Sequence, residues 1–191
     1  MEMKKFEKFI VNSCFCDFLY KTIISPAFFK FINKELKGTL LEIGCGKGFT
    51  TNLISLRYKK LKITAIDYDN KQIAIAKSDK NNNKNIKILQ GDATNLKFKN
   101  DSFDYCIEAD VFHHIKDYGK AMKEAYRVLK NGGTFYLMDI SKYFFIWPVG
   151  LFFPPESLFT KKEFINQLAL TGFKVEKSKG NLLFFIAAGK K

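Results

Sequence analysis

Glycines 44, 46 and 48 punctuate residues 39–50, TLLEIGCGKGFT, directly behind the apolar run Leu40, Leu41 and Ile43. A β-type run that breaks into such a loop and then into a helical pattern reads as a strand-to-helix turn. Three positions without Cβ atoms let the chain bend sharply and let a ligand lie against the main chain. Glu42 stands in the same stretch, and a carboxylate suits a ligand with a cationic group better than one with two phosphates. A nicotinamide-dinucleotide loop would place its third glycine one residue later, where this chain has Phe49, so the cradle suits a different small molecule.

Three more acidic residues, Asp67, Asp92 and Glu108, stand where apolar runs end. Ligands of an open parallel sheet bind beyond the carboxyl ends of its strands. Asp67 follows Gly44 by 23 residues, near the offset at which an acid accepts hydrogen bonds from ribose hydroxyls. Asp92 is placed for an adenine amino group. Any one of these is also ordinary turn chemistry; their combination with the loop is what points to a nucleoside-like ligand.

The elements that position these residues follow from periodicity and breakers. Residues 3–24 carry Phe6, Phe9, Ile10, Phe18, Leu19 and Ile23 near helical spacing, and Ser25-Pro26 stops and restarts the pattern. A second helix with Phe28, Phe29, Ile32 and Leu36 is expected to close at Gly38. After the loop come a helix over 50–58, a strand over 62–66, a helix over 72–80, an Asn-rich turn at 81–85 and a strand over 86–90. Then follow a strand over 103–109, a helix over 118–130, a turn at Asn131-Gly132-Gly133 and a strand over 134–140. Such alternation implies parallel strands with right-handed crossovers. The run YFFIWPVGLFFPP at 143–155 is split by prolines and glycine, so it is neither a regular helix nor a membrane span. A helix over 161–170 and two strands over 173–177 and 182–188 close the chain as an antiparallel hairpin at the sheet edge.

Lys and Arg number 32 against 19 Asp and Glu, a formal net charge of +13. That balance attracts nucleic acid, anionic membrane surfaces or acidic substrates. The lysines run along the whole chain without forming one block, which favours a general compositional bias. Cysteines 14, 16, 45 and 106 have no zinc-pair spacing, and a chain of 191 residues folds without disulfides; a reducing, cytoplasmic setting is expected. Glu7, Lys8 and Asp17 interrupt the apolar N-terminal stretch, so neither a signal peptide nor a membrane span fits there.

Five stretches in order, EIGCGKG at 42–48, AIDYD at 65–69, GDA at 91–93, FDYCIEADVFHHI at 103–115 and RVLKNGGTFYLMD at 127–139, resemble the successive motifs of class I S-adenosylmethionine-dependent methyltransferases. The branch most similar includes the quinone-biosynthesis and other small-molecule enzymes. The resemblance runs from about Leu40 to the C-terminus. It implies an α/β, Rossmann-like, doubly wound and mostly parallel seven-stranded sheet with an antiparallel C-terminal edge hairpin, preceded by N-terminal helices. One methyltransferase domain over 1–191 is expected: a helical lead-in at 1–38, a cofactor core at 39–140, an apolar substrate-facing insertion at 141–160 and a closing unit at 161–191.

The resemblance also implies S-adenosyl-L-methionine as cofactor. Glu42, Gly44 and Gly46 would border its methionine portion, with Cys45 and Gly48 shaping the loop. Asp67 would hold the ribose hydroxyls, Tyr68 would lie against adenine, and Asp92 with Ala93 would bind its amino edge. Glu108 and Ala109 would face the sulfonium side. Methyl transfer to an activated carbon needs mostly positioning and exclusion of water, and a base only where the nucleophile is protonated. His113 and His114, the two histidines, are the candidates, with ordering of the loop as the alternative. Adjacent histidines are expected to diverge, and Asp110 with Asp139 alone make no metal site, so no metal is expected.

For the acceptor, Phe18, Trp147, Phe152 and Phe153 are the candidate contacts. They suit a small apolar or lipid-like molecule such as a quinone precursor, with peripheral contact to the inner, anionic face of a membrane as a corollary. Methylation of RNA or other nucleic acid and a non-catalytic cofactor-binding domain are the alternatives. Enzymes acting on exocyclic base amines usually carry Asn or Asp, two prolines and an aromatic after the fourth strand, against Glu108, Ala109, Asp110 and Val111 here. Cys106 lies inside a strand with no Pro-Cys pair, which also argues against nucleic acid. Metalloid methylation by Cys14, Cys16 and Cys106 lacks a distinctive spacing.

Overall fold

The computed structural model describes residues 18, 20–78, 83–144 and 158–191. Most of the expected first helix, Cys14, Cys16, Trp147, Phe152 and Phe153 lie outside the described residues. Seven strands, β1 (Gly38–Ile43), β2 (Leu61–Asp67), β3 (Ile86–Gln90), β4 (Phe103–Ala109), β5 (Leu129–Ile140), β6 (Lys174–Gly180) and β7 (Phe184–Lys190), form one sheet in the order β3-β2-β1-β4-β5-β7-β6. β1 pairs in parallel with β2 and β4, as do β2 with β3 and β4 with β5. β7 runs antiparallel to both β5 and β6, so the closing hairpin enters the sheet by its second strand. The order reverses between β1 and β4, which opens the crevice in which such sheets bind ligands.

Helices α1 (Ser25–Ile32), α2 (Phe49–Arg57), α3 (Asn70–Ser78), α4 (Tyr118–Val128) and α5 (Lys161–Leu170) cover the two faces. Side chains alternate across a strand, and the two cores show it. Leu40, Ile107, Tyr136, Met138 and Ile186 join α1, α2 and α3 on one face. Leu41, Cys106, Phe135, Leu137 and Phe185 join α4 and α5 on the other. Much of the phenylalanine surplus is spent on this second face. Phe112, Phe135, Phe159, Phe164, Phe173 and Phe185 are all buried, with ring centroids 4.6 Å apart for Phe159 and Phe164 and 5.3 Å for Phe164 and Phe185. Phe159, at the end of the stretch expected to face substrate, belongs to this core.

Several boundaries differ from expectation for identifiable reasons. α1 closes at Asn33, which adopts φ 48° and donates its amide to the Phe29 carbonyl; asparagine tolerates the left-handed turn that Gly38 was expected to supply. Gly38 opens β1 instead, and a Cβ there would meet Asp104 Oδ2 at 2.4 Å. α4 stops at Val128 because Leu129 already pairs with Phe103, and the ladder shifts register before Tyr105. The Asn131-Gly132-Gly133 turn therefore lies within the span of β5. Arg127 fastens the chain ahead of β4, donating to the carbonyls of Leu96 and Phe98 and to Glu124.

Candidate functional site

The loop after β1 is held at the tip of β2. The amides of Gly44 and Cys45 donate to the Ile66 carbonyl at 2.8 and 2.9 Å, and Gly46 donates to Asp67 Oδ2 at 2.7 Å. The three glycines have φ of 75°, 51° and 84°, values that L side chains rarely adopt. At Gly44 a Cβ would strike the methyls of Val111 at 2.4 Å; at Gly46 it would meet nothing within 4 Å. Gly44 thus serves close packing against the segment after β4, and Gly46 borders open space beside the loop.

Acidic groups stand close to the loop. Asp67 Oδ1 accepts the Asp69 amide at 2.8 Å, so both oxygens of its largely buried carboxylate are fixed by main-chain donors, and burial raises its carboxyl above the ordinary range. Glu42 is buried; burial lifts its carboxyl to about 7, the Thr51 hydroxyl pulls it back and Asp67 adds to the rise. Glu108 pairs in register with Ile43, the residue before Gly44. Its Oε1 accepts the amides of Val111 at 2.7 Å and Phe112 at 3.3 Å. Its Oε2 is buried with no hydrogen-bond partner among the described residues. Burial, then the charges of Asp139 and Asp110, hold the Glu108 carboxyl well above its usual range. Buried carboxylates grouped this way favour a positively charged ligand.

The other expected cofactor residues are more open. Tyr68 is half exposed and Asp92 is exposed, with Oδ1 accepting both the amide and the hydroxyl of Thr94 at 2.8 Å. Ala93 and Ala109 are partly buried, and Cys45 is buried, its thiol pushed up by burial. Of the expected acceptor contacts, Phe18 is described and is exposed.

Beyond β4 the chain makes a 3₁₀ turn, Phe112–His114. Asp110, with φ 63°, donates its amide to the Met138 carbonyl at 2.7 Å, which carries the turn across to β5. His113 is buried there, its Nδ1 2.6 Å from Asp139 Oδ1 and its amide 3.3 Å from Oδ2. The expected divergence of the two histidines is not met, because the tight turn brings their ring centroids to 4.0 Å. Burial, then the neighbouring His113, depress the His114 imidazole to about 2; it stays neutral at physiological pH. Asp110, His113 and Asp139 together bring potential ligand atoms within 4.8 Å of one another. From sequence, Asp139 closes the motif at 127–139 and makes no metal site with Asp110 alone; its place at the carboxyl tip of β5 is the signal for its role.

Residues 41–137 match the family described as "Methyltransferase domain". The chain belongs to this family. Among relatives of the methyltransferase domain, the demethylmenaquinone methyltransferase of Staphylococcus epidermidis is 30% identical over 112 residues, 58% of this chain and 46% of that protein. A chloroplastic 2-methyl-6-phytyl-1,4-hydroquinone methyltransferase of rice, Oryza sativa subsp. japonica, is 33% identical over 148 residues, 73% of this chain and 40% of that one. The chain spans less than half the length of these curated relatives. The fold also matches a SAM-dependent methyltransferase from Aquifex aeolicus, with a TM-score of 0.75 at 22% identity over 90% of this chain and 92% of that chain. It matches the PH0226 protein of Pyrococcus horikoshii with a TM-score of 0.78 at 20% identity over 94% and 92%.

Proposed function

We propose that this chain binds S-adenosylmethionine and methylates a small apolar or lipid-like acceptor of the hydroquinone type. The observation that carries the reading is the buried Glu108 carboxylate, with an oxygen lacking a hydrogen-bond partner among the described residues, in register with the start of a positive-φ glycine loop. A nucleoside bearing both a sulfonium and an amino group fits that combination. Glu42, the loop from Gly44 to Gly46 and Glu108 would hold its cationic end, Asp67 its ribose, and Tyr68, Asp92 and Ala93 its base. When bound, the cofactor supplies an electrophilic methyl carbon on sulfur.

A hydroquinone hydroxyl becomes strongly nucleophilic once it loses its proton. His113 is the group assigned to accept that proton, since its ring is held by the Asp139 carboxylate at 2.6 Å. The quinone-type relatives support the acceptor class. Peripheral contact with an anionic bilayer belongs to the same reading. It is supported by the excess of lysine and by exposed Leu182 and Leu183, which adjoin the end of β5 where the Ser141 amide donates to the Leu183 carbonyl.

Incubation with methyl-labelled cofactor and a cell extract, separated into lipid, small-molecule and RNA fractions, tests this. Label is expected among apolar small molecules or lipids; label confined to RNA overturns it. Asp67→Ala is expected to weaken cofactor binding by roughly 10-fold or more, and unchanged affinity by calorimetry would refute the ribose assignment.

A further inference from the structure

Asp139 is fully buried, and among the described residues its carboxylate oxygens meet nitrogen donors. Oδ1 accepts the Ile140 amide at 2.7 Å and faces His113 Nδ1 at 2.6 Å, while Oδ2 accepts the His113 amide at 3.3 Å. Two oxygens serving as acceptors for main-chain amides describe a carboxylate, so the proton in the short contact belongs to Nδ1. A metal between the two groups fits less well. An imidazole nitrogen and a carboxylate oxygen each about 2.1 Å from one ion stand roughly 3 Å or more apart, whereas 2.6 Å is the spacing of a shared proton. The same carboxylate grips both the main chain and the ring of one residue, which fixes the imidazole in place as well as in tautomer.

From this geometry we infer that Asp139 is the positioning residue for His113, holding the ring as the Nδ1–H tautomer so that Nε2 carries the lone pair offered to the acceptor hydroxyl. The inference rests on the reading of His113 as the base. In the step, the acceptor O–H bond breaks, its proton passes to His113 Nε2 and its electron pair stays on the acceptor oxygen. The imidazolium so formed faces the Asp139 carboxylate, and its proton later leaves to solvent. Asp139 itself gives up and takes on nothing.

Two histidines in the chain make the ring nitrogens directly observable. Long-range ¹H–¹⁵N spectra of the ¹⁵N-histidine protein, assigned with His114→Gln, are expected to show His113 protonated at Nδ1 and bare at Nε2 at neutral pH. Asp139→Asn is expected to mix the two tautomers. It should also lower kcat toward a short-chain hydroquinone about 100-fold, with cofactor affinity and acceptor KM within about two-fold. A proton on Nε2 in the unaltered protein overturns the inference whether or not the variant folds, and so does displacement of the Nδ1 proton by added Zn²⁺ or Mn²⁺. A folded Asp139→Asn with unchanged tautomer and kcat overturns it as well. Wild-type turnover by His113→Gln would bring down the base reading and this inference with it. An inactive His113→Gln beside an unaltered Asp139→Asn would bring down this inference alone.

Discussion

Burial holds the Glu42 carboxyl near 7, well above the 4.5 of the exposed group, and Glu108 is displaced the same way. An acid raised by folding binds its proton more tightly folded than unfolded. The empty fold therefore loses stability as pH climbs from the unfolded value through about 7. A cationic ligand favours the ionised form, so its affinity moves oppositely. Between about pH 5.5 and about pH 8, the melting temperature of the cofactor-free protein is expected to fall while calorimetric affinity for S-adenosylmethionine rises, and Glu42→Gln should flatten much of both trends. A pH-independent affinity in the unaltered protein would remove Glu42 and Glu108 from the cofactor's cationic end. The positions of Glu42, Asp67 and Glu108 near the strand tips were legible from sequence because strand ends and glycine spacing are local signals. The partnership of Asp139 with His113 was not, since it joins residues 26 apart through a turn whose tightness depends on Asp110 adopting φ 63°.

At the scale of the loop, two glycines of one motif do different work. Gly44→Ala drives a methyl into Val111 and forces an L residue to hold positive φ. It is expected to cost about 2 kcal/mol or more in stability, read as a lowered melting temperature. Gly46→Ala meets no protein atom within 4 Å and should cost only about 1 kcal/mol, yet it should weaken cofactor binding out of proportion. Equal stability losses with unaltered cofactor affinity would show that no ligand lies against Gly46. The periodic elements β3 and β4 were placed by sequence to the residue, as their apolar runs end abruptly at turns. The junction of α4 and β5 was not: Leu129 looks helical by local pattern, and its pairing with Phe103, a long-range contact, decides otherwise.

For the molecule as a whole, the surplus of phenylalanine and the surplus of lysine have separate explanations. Seven phenylalanines fill the core under α4 and α5, so composition alone is no evidence for a lipid-binding surface. Among the described residues no helix is long and apolar enough to cross a membrane. Charge-driven contact with a bilayer is the form of association we propose. Sedimentation with vesicles containing anionic lipid is expected at low salt and should be lost as ionic strength rises; equal binding to neutral vesicles would refute it. Part of the positive charge has a further use in the sheet. Its outermost strand β6 is almost wholly exposed and carries Lys174, Glu176 and Lys179, while Lys177 turns its amine back onto the Phe31 carbonyl and ring; the opposite border, β3, presents Lys87. Lysines at both borders of the sheet oppose the addition of one copy's strands to another. Acylation of those amines would strip away that guard, and the first symptom would be fibrous precipitation of well-folded protein.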